Sequence, residues 1–146
     1  MEVYSVGFTK KSAEEFFELL KRHGVRRLID VRLNNSSQLA GFTKRDDLAY
    51  FLGQLYDADY LHEPLLAPTQ ELLDRYKKGG GKWADYKRDF LELMRQRRIE
   101  SEINPQLLED AVLLCSEPTA DHCHRRLVLE YLERAWQDRT LTIAHL

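Results

Sequence analysis

The sequence predicts an α/β fold: one three-layer domain with a mostly parallel central sheet of about five strands and helices on both faces. Three observations predict it. Short β-rich runs alternate with longer segments of helical period along the whole chain, the pattern of parallel strands joined by right-handed crossovers. Two of those runs, RLIDV at 27–31 and AVLLC at 111–115, are almost continuously apolar, as in strands buried on both faces. Finally, 146 residues with 43% apolar and 32% charged side chains are enough for one core, so the domain is read as 1–146.

In chain order, EVYSV at 2–6 reads as a strand ending at Gly7. Ser12-Ala-Glu-Glu15 then forms an S-x-x-E capping box ahead of a helix whose stripe is Phe16, Phe17, Leu19 and Leu20, with Gly24 as its cap glycine. After the strand at 27–31 comes a polar, turn-rich run, NNSSQLAGFT at 34–43, long enough to suggest a working loop. Leu48, Phe51, Leu52 and Leu55 mark a helix over 44–56, and DYLH at 59–62 a short third strand. Pro64 and Pro68 break the chain before a brief helix over 69–77. GGGK at 79–82 ends it and reads as a flexible tip, because the first glycine and the Ser/Thr of a phosphate-binding loop are missing. Trp83, Tyr86, Phe90, Leu93 and Met94 share one side of a helix over 83–98, and Asn104-Pro105 predicts the start of another. AVLLC is the fourth strand. A helix over 122–136 follows, with Asp121 as its N-cap and Val128, Leu132, Ala135 and Trp136 inward; LTIAHL at 141–146 is the last strand.

A net charge of -2 gives no general pull on duplex DNA, so a nucleic-acid partner is not supported by charge; the best local patch, RQRR at 95–98, reads as a solvated helix face. No run approaches the ~20 apolar residues that cross a bilayer, and MEVYSVGF lacks a basic leader, so a cytoplasmic protein without a membrane partner is expected. In that reducing compartment the two cysteines, Cys115 and Cys123, are expected as free thiols or ligands.

Ligands of such sheets bind outside the carboxyl ends of the strands. Those ends deliver Gly7 to Lys10 with Thr9 among them, then Asp30 and Arg32, His62 and Glu63, Cys115, Ser116 and Glu117, and His145. Asp30 and Arg32 point the same way from one strand, so a pair is natural; it is either a fixed ion pair shaping the loop, or an anion-holding arginine with Asp30 orienting it or acting as base. In CSEPTADHCHRR at 115–126, a helix N-terminus and arginines beside Cys123 and His124 favour a thiolate or a bound anion, with Arg125 as donor and Glu117 as proton carrier. Three further readings stay open. A cysteine-phosphatase loop needs an arginine at 129, where leucine stands. A metal site would use Cys115, Cys123 and His124, in a spacing that matches no standard finger. The plain alternative makes Cys115 a buried strand thiol and CHR a helix start.

Three segments carry a resemblance: YSVGFTKKSAEEFFELLKRHGVRRLIDVR, GFTK…LYDADYLHEP and LLCSEPTADHCHRRLVLEYL. With its LIDVR and C-x-E…CHR signatures the chain resembles the domain of unknown function 488 family over nearly its whole length. The resemblance implies a three-layer α/β domain of bacteria and archaea whose site joins Asp30, Arg32, Cys115, Glu117, Cys123, His124 and Arg125. One departure is visible: members typically carry a proline and a Ser-Arg pair after DVR, whereas this chain reads LNNSSQLAGF and so lacks one cation of that loop.

The expectation is an enzyme acting on a small anionic, phosphate-bearing, nucleotide-like substrate. Arg32 and Arg125, with Thr9 and Ser36, would bind it; Cys123 would be nucleophile or His124 acid/base, with Asp30 and Glu117 orienting them. The alternatives are a non-catalytic ligand-sensing or nucleic-acid-processing accessory module, or a metal-binding protein. No cofactor is indicated by any motif.

Overall fold

The computed structural model describes residues 1–35, 41–117 and 119–146. β1 (Glu2–Gly7) is buried from Val3 onward, and its side chains alternate between two apolar clusters, Val3 to one and Tyr4 and Val6 to the other. That two-sided burial is what a strand inside a helix-covered sheet requires. α1 (Ala13–Arg22) begins at the capping box: the Glu15 N–H donates to the Ser12 hydroxyl at 3.1 Å and the Ser12 N–H to the Glu15 carboxylate at 3.4 Å. Its stripe buries Phe16, Phe17 and Leu20. β2 (Arg27–Asp30) stops one residue short of the expected 27–31, because Val31 leaves the ladder with β3 while its N–H still reaches the Leu114 carbonyl at 3.1 Å.

α2 (Arg45–Tyr56), β3 (Asp59–His62), α3 (Gln70–Lys77) and α4 (Trp83–Arg97) stand where periodicity placed them. Gly79 and Gly81 lie so close to the Arg75 carbonyl oxygen that a Cβ would come within 2.9 and 2.7 Å of it. The glycine run is therefore a tight turn folded back on α3 rather than a loose tip. Arg98, in the left-handed region at φ 52°, ends α4 and starts one unexpected turn, α5 (Ile99–Glu102). Asn104-Pro105 opens only a 3₁₀ turn, Pro105–Leu108, because Ala111 already belongs to β4 (Ala111–Cys115). α6 (His124–Ala135) starts later than expected. The Cys123 N–H is held in a turn by the Ala120 carbonyl at 3.3 Å, which leaves Cys123, with extended φ −130° and ψ 141°, as N-cap in place of Asp121. β5 (Thr142–His145) closes the sheet.

Strand order is β3-β2-β4-β1-β5, and every pairing is parallel. α1 and α2 cover one face, setting Phe16, Leu20, Leu48 and Leu52 over Val6, Leu28 and Leu114. α4 and α6 cover the other, setting Phe90, Met94, Val128 and Leu132 over Val3, Ile29 and Leu113. Burying each such side chain is worth about 1.5–3 kcal/mol, so both helical layers are held by the sheet they cover. The architecture is the predicted three-layer α/β arrangement. The chain leaves β2 for α2 on one face and leaves β4 for α6 on the other, although β2 and β4 are neighbours. Their carboxyl ends therefore diverge, which is the switch point where such sheets open a crevice. Among the described residues no helix is long and apolar enough to cross a membrane.

Candidate functional site

On the β2 side of the crevice, Asp30 is fully buried and its two carboxylate oxygens are saturated. They accept from Arg32 Nε at 2.8 Å, Arg32 Nη2 at 2.9 Å, the Arg32 N–H at 3.1 Å and the Tyr60 hydroxyl at 2.5 Å. A buried ion pair survives only when its remaining polar atoms are met, and here the acid's are. Burial first, and the bond to Asp30 second, hold the Tyr60 phenol protonated far above its ordinary range, so it stays a donor. Arg32, 4% exposed, also donates from Nη2 to the Thr43 carbonyl at 2.7 Å and lies 5.4 Å over the Phe8 ring. Its Nη1 is buried with no hydrogen-bond partner among the described residues.

On the β4 side, Arg125 is wholly buried behind the strand end. It donates from Nε to Ser5 Oγ at 3.1 Å, and from Nη1 to Cys115 Sγ at 3.0 Å and to the Glu117 carbonyl at 2.7 Å. Its Nη2 has no partner among the described residues. Burial pulls this guanidinium down to about 10, which leaves it charged at neutral pH. Ser5 Oγ lies 2.5 Å from His145 Nδ1. Burial, with Arg125 and Arg126 nearby, lowers the His145 pKa and favours its neutral ring. Gly7 makes room for this arrangement, since its backbone lies directly against the Glu117 carbonyl, where no Cβ fits. Thr9 secures the same loop from outside: its N–H donates to the Ser116 carbonyl at 3.2 Å and its hydroxyl to the same oxygen.

His124, the first residue of α6, sends Nε2 to the Val31 carbonyl at 2.7 Å. That bond requires the proton on Nε2 and leaves the Nδ1 lone pair facing Cys123 Sγ, 4.0 Å away. Burial is the main cause that lowers its pKa to about 4, so the ring is neutral at physiological pH. His62 donates from Nε2 to the next carbonyl, that of Arg32, at 3.0 Å. Two histidines thus fix the two successive carbonyls with which the chain leaves β2.

Cys115 and Cys123 are not free thiols as expected. Their sulfurs are joined, with Cα atoms 7.7 Å apart and no free cysteine remaining. Cys115 ends β4 on the α6 face and Cys123 precedes α6, so docking the helix brings the two together. Joined sulfurs are not thiolate ligands, and among the described residues no group of three His, Cys, Asp or Glu is placed to hold a metal ion.

A cleft of about 200 Å³ opens at this switch point, with Arg32, Cys115, Glu117, Cys123 and His124 on its wall. Asp30 and Arg125 are buried behind that wall rather than in it, the exposed Thr9 does not line it, and Ser36 lies outside the described residues. Glu117 pairs with Lys77 of α3 at 2.7 Å, both half-exposed, across one rim. Several lining residues carried no signal as site residues in the sequence: Tyr86 read as one of the inward residues of α4, and Lys77 and Tyr76 had no reading of their own. The basic run is largely occupied, with Arg97 donating to the carbonyls of Leu65 and Ala67, each at 2.7 Å, and Arg95 paired with Glu92.

A family model described as Domain of unknown function DUF488 matches residues 12–132, a span that runs from the α1 cap into α6 and includes every side chain on the cleft wall. No match is found among curated proteins or among solved structures.

Proposed function

The chain belongs to the family described as Domain of unknown function DUF488, and from that premise we propose that its cleft binds a small phosphate-bearing anion on which Cys123 and His124 act. The observation that carries this reading is Arg32, a buried guanidinium at the cleft wall whose Nη1 is left without a partner among the described residues. A buried donor left unpaired costs about 1–3 kcal/mol, and an anionic oxygen removes that cost. Asp30 takes Nε and Nη2 and so turns the remaining edge of the fork away from itself. Lys77 adds a second cation at the rim, and Arg125 lends positive charge from behind Cys115 while holding the Glu117 loop.

In the reduced protein Cys123 carries a thiol at the mouth of α6, and the neutral His124 Nδ1 is the base placed to take its proton. Parting Cys123 from Cys115 takes two electrons and two protons, supplied by a thiol reductant. The bonded sulfurs favour one second reading, a binding module without turnover, because they leave no nucleophile.

The test is a thermal-shift screen of the reduced protein against inorganic phosphate, sugar phosphates and nucleotides. A binder at about a hundred times its Kd adds about 2.7 kcal/mol to stability. Phosphate-bearing compounds are expected to raise the melting temperature saturably, and Arg32→Lys, which keeps the charge but not the fork, to weaken that response. No response to any of them would sink the anion site. Turnover of a binder that survives Cys123→Ser would remove the nucleophile, and binding without turnover in the parent would favour the module.

A further inference from the structure

The wall of the cleft is divided by chemistry. Arg32, Lys77, Ser116 and His124 supply its polar part, whereas Tyr76, Tyr86 and His122 contribute rings and Leu33, Pro68 and Leu73 aliphatic surface. A small inorganic anion has no use for the second half.

The rings form a locked array. Tyr76 and Tyr86 have centroids 4.6 Å apart at 32°, Trp83 stacks on Tyr86 at 5.5 Å and 26°, and His122 stacks on Trp83 at 4.9 Å and 18°. Tyr86 continues inward onto Phe90, which belongs to the core. Core packing therefore accounts for Tyr86 and Phe90. It does not account for His122, which is exposed and belongs to no helix, while Tyr76 packs against that core and stays half-open at the cleft. His122 lies nearly flat on Trp83, and Tyr76 leans on Tyr86 at a tilt, both at the cleft. A pre-ordered stack with exposed rings at its end is what a planar heteroaromatic ligand uses, since bases of any identity stack on such faces.

We propose that the cleft takes a nucleotide unit, with the phosphate at Arg32 and the base against Tyr76, Tyr86 and His122; this rests on the anion reading above. Lys77 bridges the two halves: it lies 5.2 Å over the Tyr76 ring and pairs with Glu117 at the rim. The unit can come from a free nucleotide or from the phosphorylated end of a nucleic acid.

Calorimetric titration of the reduced full-length protein with adenosine monophosphate, ribose 5-phosphate and inorganic phosphate separates the two ideas. The expected order is adenosine monophosphate tightest, by about tenfold over ribose 5-phosphate, from stacking of one base. Tyr76→Leu, which keeps apolar volume without the ring, and His122→Ala should each cut that ratio several-fold. Ribose 5-phosphate binding as tightly as the nucleotide, or a ratio unchanged in both variants, overturns the base-stacking assignment and leaves the anion site standing. If none of the three binds, the anion site itself falls, and this proposal with it. A 5′-phosphorylated tetranucleotide identifies the source: tighter binding than the mononucleotide assigns a nucleic-acid end, and weaker binding assigns free nucleotide.

Discussion

Gly7→Ala should unsettle the candidate site although Gly7 itself does not line the cleft. A Cβ at position 7 would lie on the Glu117 carbonyl, 2.5 Å from its carbon and far inside the 3.0 Å that real Cβ contacts respect, with Arg125 Nη1 at 3.1 Å. Both obstacles resist movement, since one is backbone and the other the head of a wholly buried arginine. Forcing a methyl into packed surroundings costs about 1–3 kcal/mol. If the loop withdraws instead, the bond from Arg125 to the Glu117 carbonyl is lost, at about 1.5–3 kcal/mol for a charged donor. Against this stands a gain of about 0.4–1 kcal/mol from the stiffer unfolded chain. A net loss of about 0.5–2.5 kcal/mol follows, a sizeable part of a typical total of about 5–15 kcal/mol. Urea unfolding followed by circular dichroism measures it. Combining Gly7→Ala with Arg125→Met should cost less than the sum of the two single changes, because both act through the Glu117 carbonyl. A Gly7→Ala protein within 0.5 kcal/mol of the parent would refute the claim that this close approach sets the loop.

Asp30→Asn should destabilise by about 3–5 kcal/mol in the same assay, since it leaves the buried Arg32 charge without its counterion; adding Arg32→Gln should recover part of the loss, and failure to do so would argue against a buried pair. Stability should also fall as pH drops from about 6.5 toward 4, because His124 is held neutral in the folded chain to about 4 and ionises earlier when unfolded. The unfolded chain then binds the extra proton, so the penalty grows through that window, to at most about 3 kcal/mol, and vanishes above it. His124→Gln should flatten this slope, and an unchanged slope would remove His124 as its source.

What could be read beforehand was local. The Ser12–Glu15 capping box lies within one turn, and Asp30 and Arg32 lie two apart on one strand, so spacing alone declares both contacts. The joining of Cys115 to Cys123 was not legible, because it depends on how α6 docks against β4 and on a helix start moved from 122 to 124 by the turn at Ala120. Nor could spacing show that Arg125 reaches 120 residues back to Ser5, or that Lys77 meets Glu117 across 40 residues. In a parallel sheet the carboxyl ends of strands distant in sequence meet, so the strand ends can be named in advance but not their pairing across the crevice.

The strand order also governs how the chain can assemble during synthesis. β1 is the first strand made, yet both its neighbours, β4 and β5, are among the last elements. β2 can pair early with β3 alone. Until residues 111–115 emerge, β1 and one edge of β2 have no ladder to join, and the apolar Val3, Val6 and Leu28 lack their cover. Such non-local closure slows folding and prolongs exposure of sticky edges. β4 acts as the keystone laid late between two waiting strands, so a ribosome that pauses before residue 111 would hold a nascent chain with a strong claim on a chaperone.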